Sequence, residues 1–423
     1  MESSSRTTWY PSPRTDAFRV DADAAPARLR GVAASPDQAR SPRVLLILRP
    51  PPPFGGGEVI AGQLERLFAG RYAVLAFRRP RHSKGRQGQL SFTNLTFGLR
   101  YIAVGCARLV VTKPRALYVD VPKDRPSFLR TSVVLLVALA LRVRVVGDLA
   151  GADFPFLAGR SPVACYARAV LRRLHGIRVL GGAVAANLEA RGLHNTIVVS
   201  NGIEEPPGGV PAKTFPAGDA RFLYVGKVAV AKGITTLAEA MASSAADEPG
   251  WRLDVVGEWE SEATREHVLA EVAAVGLGDR IAFHGLLEGD AKWEAYRRAH
   301  LLLHPSRWDG QPVTILEAFA LGLPVVATRV GAIADTVRHG VDGHLMADGT
   351  AEELLAGIRG VLRDADTYAG FCAAARKAYE ERFSDAAFGA AMAAVLEEAA
   401  GARASSARKR HDVGEVGSTG LPR

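Results

Sequence analysis

The chain has 423 residues, 48% of them hydrophobic and 23% charged, with a formal net charge of +9. That length allows two or three full cores, and the composition is that of a folded globular protein rather than a disordered or fibrous one. Cys106, Cys165 and Cys372 lack zinc-site spacing and suit a reducing compartment, and residues 1–6 lack the apolar core of a secretory leader.

In chain order, residues 1–42 are polar and rich in Pro, Ala and Arg, and are predicted to be a disordered tail. A buried-type strand is predicted at 44–48, then a Pro-then-Gly loop at 49–57, a helix at 58–69 and a strand at 72–77. Residues 78–89 form a basic loop. Strands at 116–119 and 143–146 flank an apolar helix around 128–141. Ser161 and Pro162 open a helix to His175 that carries Arg168, Arg172 and Arg173. Short strands at 179–180 and 197–199 close this half. Residues 204–219, with Pro206, Pro207, Pro211 and Pro216, read as a linker. The strand–helix alternation resumes over 220–400, and residues 401–423 are a second polar tail. Alternation in both halves predicts an α/β protein with two doubly wound Rossmann-like domains, 43–203 and 220–400, facing across a cleft.

Charge divides with the halves. Residues 1–220 hold 31 Lys+Arg against 15 Asp+Glu, a net of +16; residues 221–423 hold 22 against 29, a net of −7. A basic half is expected to seek a phosphate-rich surface. No zinc finger, aromatic RNA-binding pattern or basic zipper accompanies it, so an anionic membrane surface is the expected partner and nucleic acid is not. The longest apolar run, 133–141, is about half of what a bilayer crossing needs. The expected location is therefore cytoplasmic, peripheral on the inner face of the cell membrane.

The densest chemistry lies between Asp309 and Glu317, two acids eight positions apart. The first follows the predicted strand 301–305 and the second sits in the predicted helix 312–321, so both are expected at the crevice where open α/β sheets bind ligands. Carboxylates there hold sugar or ribose hydroxyls, because an ionised acid accepts several hydrogen bonds. Gly226, Lys227 and Lys232 follow the strand 222–225, where two lysines suit point-charge phosphate binding. Gly55, Gly56 and Gly57 let backbone amides approach an anion at a helix start. His300 and His304 have a metal-like spacing, but the intervening leucines read as a buried strand. No metal site is expected.

Together with residues 224–233, 255–257, 284–285, 304–306 and 330–335, this segment resembles the family 4 retaining glycosyltransferases of the GT-B fold. The resemblance covers roughly residues 43–400 and is strongest in the second half. It implies a nucleotide-diphosphate sugar as co-substrate, no cofactor or metal, and a glycan or lipid-linked acceptor in cell-surface polysaccharide or glycolipid synthesis. Lys227 and Lys232 would grip the donor diphosphate, with Gly56, Gly57 and Gly226 closing on it. Glu317 would hold the ribose and Asp309 the sugar, with Gly310, Gln311, Pro312 and Val313 lining the transferred group. The chain departs from the pattern twice: Asp309 stands where Glu is usual, and Asp148 and Ala150 stand where histidines are common. Asp148 is the candidate to replace that histidine's contact. A glycoside hydrolase would leave the lysines unexplained. A GT-B-like sugar-nucleotide epimerase and a catalytically weak binding homologue are the alternatives.

Overall fold

The computed structural model describes residues 43–51, 56–78, 92–151, 154–216 and 218–401. The predicted tail at 1–42, residues 402–423 of the predicted tail 401–423, residues 79–91 of the basic loop region, and Gly55 lie outside the described residues.

The first half runs β1 (Val44–Leu48), α1 (Gly56–Phe68), β2 (Ala73–Ala76), α2 (Phe92–Thr112), β3 (Ala116–Asp120) and α3 (Arg125–Ala140). It continues through β4 (Arg144–Asp148), α4 (Pro162–Leu171), β5 (Gly176–Val179), α5 (Gly182–Glu189) and β6 (Thr196–Val198). After the linker come β7 (Arg221–Val225), α6 (Ile234–Ser243), β8 (Arg252–Val256), α7 (Glu262–Ala274), β9 (Ile281–Gly285) and α8 (Gly289–Arg298). Then follow β10 (Leu301–His304), α9 (Val313–Ala320), β11 (Val325–Thr328), α10 (Ile333–Thr336) and β12 (Gly343–Met346). Three helices end the described chain: α11 (Ala351–Val361), α12 (Ala365–Ala378) and α13 (Asp385–Ala399).

Each half forms a six-stranded sheet whose neighbouring strands all pair parallel, in the orders β2-β1-β3-β4-β5-β6 and β12-β11-β10-β7-β8-β9. Central strands such as β1 and β11 are buried at every residue, as sheets covered on both faces require. The order reverses between β1 and β3 in the first sheet and between β7 and β10 in the second. At such a switch point neighbouring connections leave on opposite faces, which opens a crevice at the strands' carboxyl ends. Those ends carry Arg49, Lys123, Lys227 and Asp309, and all four line one shared cavity.

Two elements depart from the expectation. α1 begins at Gly56 rather than 58, so Gly56 and Gly57 form its first turn instead of a loop. α2 was not expected at all: Arg100 and Arg108 break its apolar residues into short runs, although the helix covers 21 residues. The domain boundary also moves. α13 packs Phe388, Met392 and Leu396 against Val44, Leu46 and Ile60, beneath the first sheet. The chain therefore crosses between domains twice, side by side, with Ile203 N–H donating to Phe383 O at 2.8 Å.

Candidate functional site

The cavity between the two switch points measures about 920 Å³, ample for a nucleotide sugar. Its C-terminal wall starts where β7 gives way to Gly226 and Lys227. Gly233 then turns the chain into α6 at φ +83°, and a Cβ there would lie 2.2 Å from Pro305 O. This close approach seats Lys232 against the loop that follows β10. Lys232 Nζ donates to Asp309 Oδ2 at 2.7 Å and to Trp308 O at 2.9 Å. Asp309 Oδ2 also meets His304 Nε2 at 3.2 Å, and its Oδ1 accepts from Gly310 N–H at 3.0 Å. Burial alone would raise the Asp309 pKa; the His304 and Lys232 contacts outweigh it and hold the carboxyl at about 2. Gly331, at φ +52°, backs this loop, since a Cβ there would sit 2.0 Å from Asp309 O.

α9 starts at the cavity. Its N-cap position is Pro312, which supplies no side-chain acceptor, so the first turn's amide donors have no cap from the chain. Pro312, Val313 and Thr314 line the cavity there, and Gly56 and Gly57 of α1 line it from the opposite domain. Two positive helix ends thus face one space. A Cβ at Gly56 or Gly57 would meet nothing within 4 Å, so it is this placement rather than crowding that marks them. Lys227 is exposed, lines the cavity, and lies 3.6 Å from Glu260.

Glu317 lies behind the cavity wall, with its side chain 11% accessible and both oxygens engaged. It is not among the lining residues. Its Oε1 accepts from Lys292 Nζ and its Oε2 from Tyr296 OH, each at 2.7 Å. The reason is α8, which packs beside α9 and delivers both donors. The carboxylate keeps spare lone pairs, since it can accept about four hydrogen bonds. Gln311 lines the cavity but spends its side chain on the domain interface, accepting from Asn201 N–H at 2.6 Å and donating to Thr336 Oγ1 at 2.9 Å.

The N-terminal wall is built from the ends of β1, β3 and β4. Asp148 lines the cavity with one oxygen committed: Oδ2 accepts from Tyr118 OH at 2.6 Å and from Arg178 Nη1 at 3.0 Å. Oδ1 is buried and has no partner. Arg178, fully enclosed, also donates to Asn201 Oδ1 at 2.7 Å and Val199 O at 3.1 Å, so a polar chain runs from Asp148 through Asn201 to Gln311. Sequence reasoning missed Lys123 and Arg49. Arg49 pairs with Asp120. Partial desolvation lowers the Lys123 pKa, opposed by Asp148, Asp309 and Glu58. A lysine four residues past the predicted strand 116–119 was the available signal. His304 is buried yet lines the cavity and holds Asp309, while His300 Nδ1 accepts from Arg221 N–H.

Comparison with known proteins places this geometry. Residues 211–378 match the family described as glycosyl transferases group 1. The lipopolysaccharide core biosynthesis mannosyltransferase LpsB of Rhizobium meliloti is 32% identical over 195 residues, 41% of this chain and 51% of that protein. A glycogen synthase of Mycobacterium tuberculosis is 30% identical over 179 residues, 41% of each chain. The chain thus spans about half or less of the length of these curated relatives. Among solved structures, Anabaena Alr3699/HepE in complex with UDP has a TM-score of 0.65 at 18% identity, covering 84% of this chain and 99% of its own. That likeness and the two facing sheets establish the GT-B fold. The matched segment 211–378, which carries Lys232 and Asp309, is similar to the group 1 glycosyl transferases.

Proposed function

We propose that the chain is a retaining glycosyltransferase that moves a sugar from a nucleotide-diphosphate sugar to a glycan or lipid-linked acceptor, in cell-surface polysaccharide or glycolipid synthesis at the cytoplasmic face of the membrane. The observation that carries this reading is the Lys232–Asp309 pair at the cavity surface between two opposed helix N-termini. The resemblance to LpsB supports a surface-glycan acceptor, and the UDP and UDP-glucose complexes of HepE support a nucleotide-sugar donor.

In this reading the donor diphosphate lies across the α9 and α1 N-termini and displaces Lys232 Nζ from part of its contact with Asp309. The acceptor oxygen forms a bond to the anomeric carbon on the face the diphosphate leaves, and the carbon–phosphate-oxygen bond breaks. The departing phosphate oxygen takes the acceptor's proton, so no separate base is needed. Lys227, Lys232 and the amides of Gly310 to Val313 stabilise the charge that develops on the leaving group. Asp309, held ionised, accepts sugar hydroxyls. Asp148 Oδ1 supplies the hydroxyl contact on the acceptor side. Glu317 takes the ribose with Lys292 beside it.

A thermal-shift panel of nucleotide sugars tests the donor, because selective binding to the folded state raises apparent stability. One sugar nucleotide is expected to shift the transition well above the rest. Glu317→Gln should weaken nucleotide and nucleotide-sugar binding alike, and Asp309→Asn should lower turnover while free nucleotide still binds. Wild-type nucleotide affinity in both variants would sink these assignments. Isomerisation of the nucleotide sugar without any acceptor would select the epimerase instead.

A further inference from the structure

The outer surface of the first domain carries an apolar face that the sugar-transfer reading does not use. On α3, beyond the exposed Arg125 and Pro126 of its first turn, the exposed positions are Leu129, Val133, Leu136 and Ala140, an apolar helical stripe. The stripe is about 16 Å long at 1.5 Å per residue. α2 lies alongside on the same face of the sheet and exposes Leu95, Leu99, Val104, Val110 and Val111; Leu99 is 59% and Val111 76% accessible. By length and composition, Leu95–Thr112 passes as a membrane span, but only 28% of it is buried in the fold. It cannot leave the fold to span. α2 is the crossover between β2 and β3, with Tyr101 and Leu109 in the core and Gly105 packed on Val134.

Charge says what covers this face. Between Phe92 and Gly147 the only acids are Asp120 and Asp124, and both line the cleft. Arg100, Arg108, Lys113, Arg115, Arg125 and Arg142 are all exposed around the apolar stripe. A second copy docked through the same face would oppose cation to cation across its two-fold axis. An apolar stripe rimmed by cations matches the boundary between anionic headgroups and acyl chains.

We infer that the outer face of α2 and α3 docks on an anionic phospholipid bilayer, inserting its leucines and valines below the headgroups while the arginines hold the phosphates. This deepens the proposed lipid-linked acceptor and gives attachment a specific surface. Of the two basic segments read from the sequence, residues 79–91 lie outside the described residues, and on α4 Arg168 and Arg172 donate to the carbonyls of Leu157, Gly159 and Gly192. Both α2 and α3 start at the cleft end of the sheet, and Asp124 caps α3 while lining the cavity. Docking this face therefore sets the cleft mouth beside the bilayer.

The test is sedimentation of the full chain with vesicles of phosphatidylcholine alone or mixed with phosphatidylglycerol. Binding should require phosphatidylglycerol, yet persist in part at about 0.5 M salt, where charges are screened within about 4 Å. Leu99→Glu with Leu136→Glu, both at exposed sites, should cut binding roughly tenfold or more, whereas Leu269→Glu on α7 should not. Arg100→Glu with Arg108→Glu should abolish the preference for anionic vesicles. The inference is overturned if Leu99→Glu/Leu136→Glu binds like wild type, or if wild type ignores phosphatidylglycerol vesicles. It is equally overturned if the chain is a dimer in solution that those substitutions dissociate. Donor-induced thermal shift, measured on the same proteins, is independent of docking: its absence would remove the transferase reading and leave the membrane result standing.

Discussion

On the C-terminal wall of the cleft, Lys232 and Asp309 meet at the cavity surface, with side chains 24% and 22% accessible; on the N-terminal wall, Arg178 meets Asp148 with its guanidinium wholly enclosed. Both contacts join a cation to a carboxylate, but they serve different ends. A pair at the surface can exchange partners when a ligand arrives, so its charges remain usable. An enclosed pair cannot, because separating it strands a charge in a poorly polarisable medium. One wall keeps its charges available to a ligand, and the other fixes the shape of the cleft and presents a single unpartnered oxygen, Asp148 Oδ1.

The largest expected effect separates the walls by stability. Arg178→Met leaves Asp148 and Asn201 without their enclosed donor, and should cost about 3–5 kcal/mol in urea unfolding. A loss below about 1 kcal/mol would mean that the enclosed pair is no more structural than the open one. Next comes Lys232→Ala, expected to weaken nucleoside-diphosphate binding by roughly 1.5–3 kcal/mol in calorimetric titration, the worth of a charge-assisted contact. Unchanged affinity there would erase the functional half of the contrast.

The third test uses pH. Asp309 has its folded-state pKa depressed from 3.8 to about 2. Its contribution to stability is therefore fully present above pH 4 and is lost as pH falls towards 2. The amount is about 2 kcal/mol at the usual value per pKa unit. Wild type should lose that much more than Asp309→Asn between pH 5 and pH 2, read from urea midpoints. Parallel losses in the two proteins would show that His304 and Lys232 do not hold the carboxyl as described.

The same contrast explains what the sequence made legible. The C-terminal wall is assembled from short contiguous segments, Gly226 to Gly233 and Asp309 to Val313, each following a legible strand, so both loops were expected at the crevice although the Lys232–Asp309 contact itself spans 77 positions. The strand–helix alternation located β1 at its true bounds because its apolar run is continuous and bounded by loops. The N-terminal wall joins Tyr118, Asp148, Arg178 and Asn201, which sit on or after different strands and meet only once the sheet order is known. Nothing in local spacing marks Arg178, an arginine in a four-residue strand, as the most enclosed polar side chain of the domain. Glu317 was legible by position but not by environment. Its place in the motif was plain, but the donors that occupy it come from α8, over twenty positions earlier. The docking face escaped because a search for unbroken apolar runs passes over a helix whose apolar residues are interrupted by arginine.

The return of α13 to the first domain bears on how the chain is made. As the first sheet leaves the ribosome, Val44, Leu46 and Leu48 have α1 on their side but not Phe388, Met392 and Leu396. Those residues are translated only after nearly the whole second domain, on the order of ten to forty seconds later at roughly 5–20 residues per second. Through that interval the first domain carries an open apolar floor, a place for a chaperone or for misassembly with a neighbouring nascent chain. The first domain closes only after the second has been made, so the two domains mature as one folding unit rather than as beads released in turn.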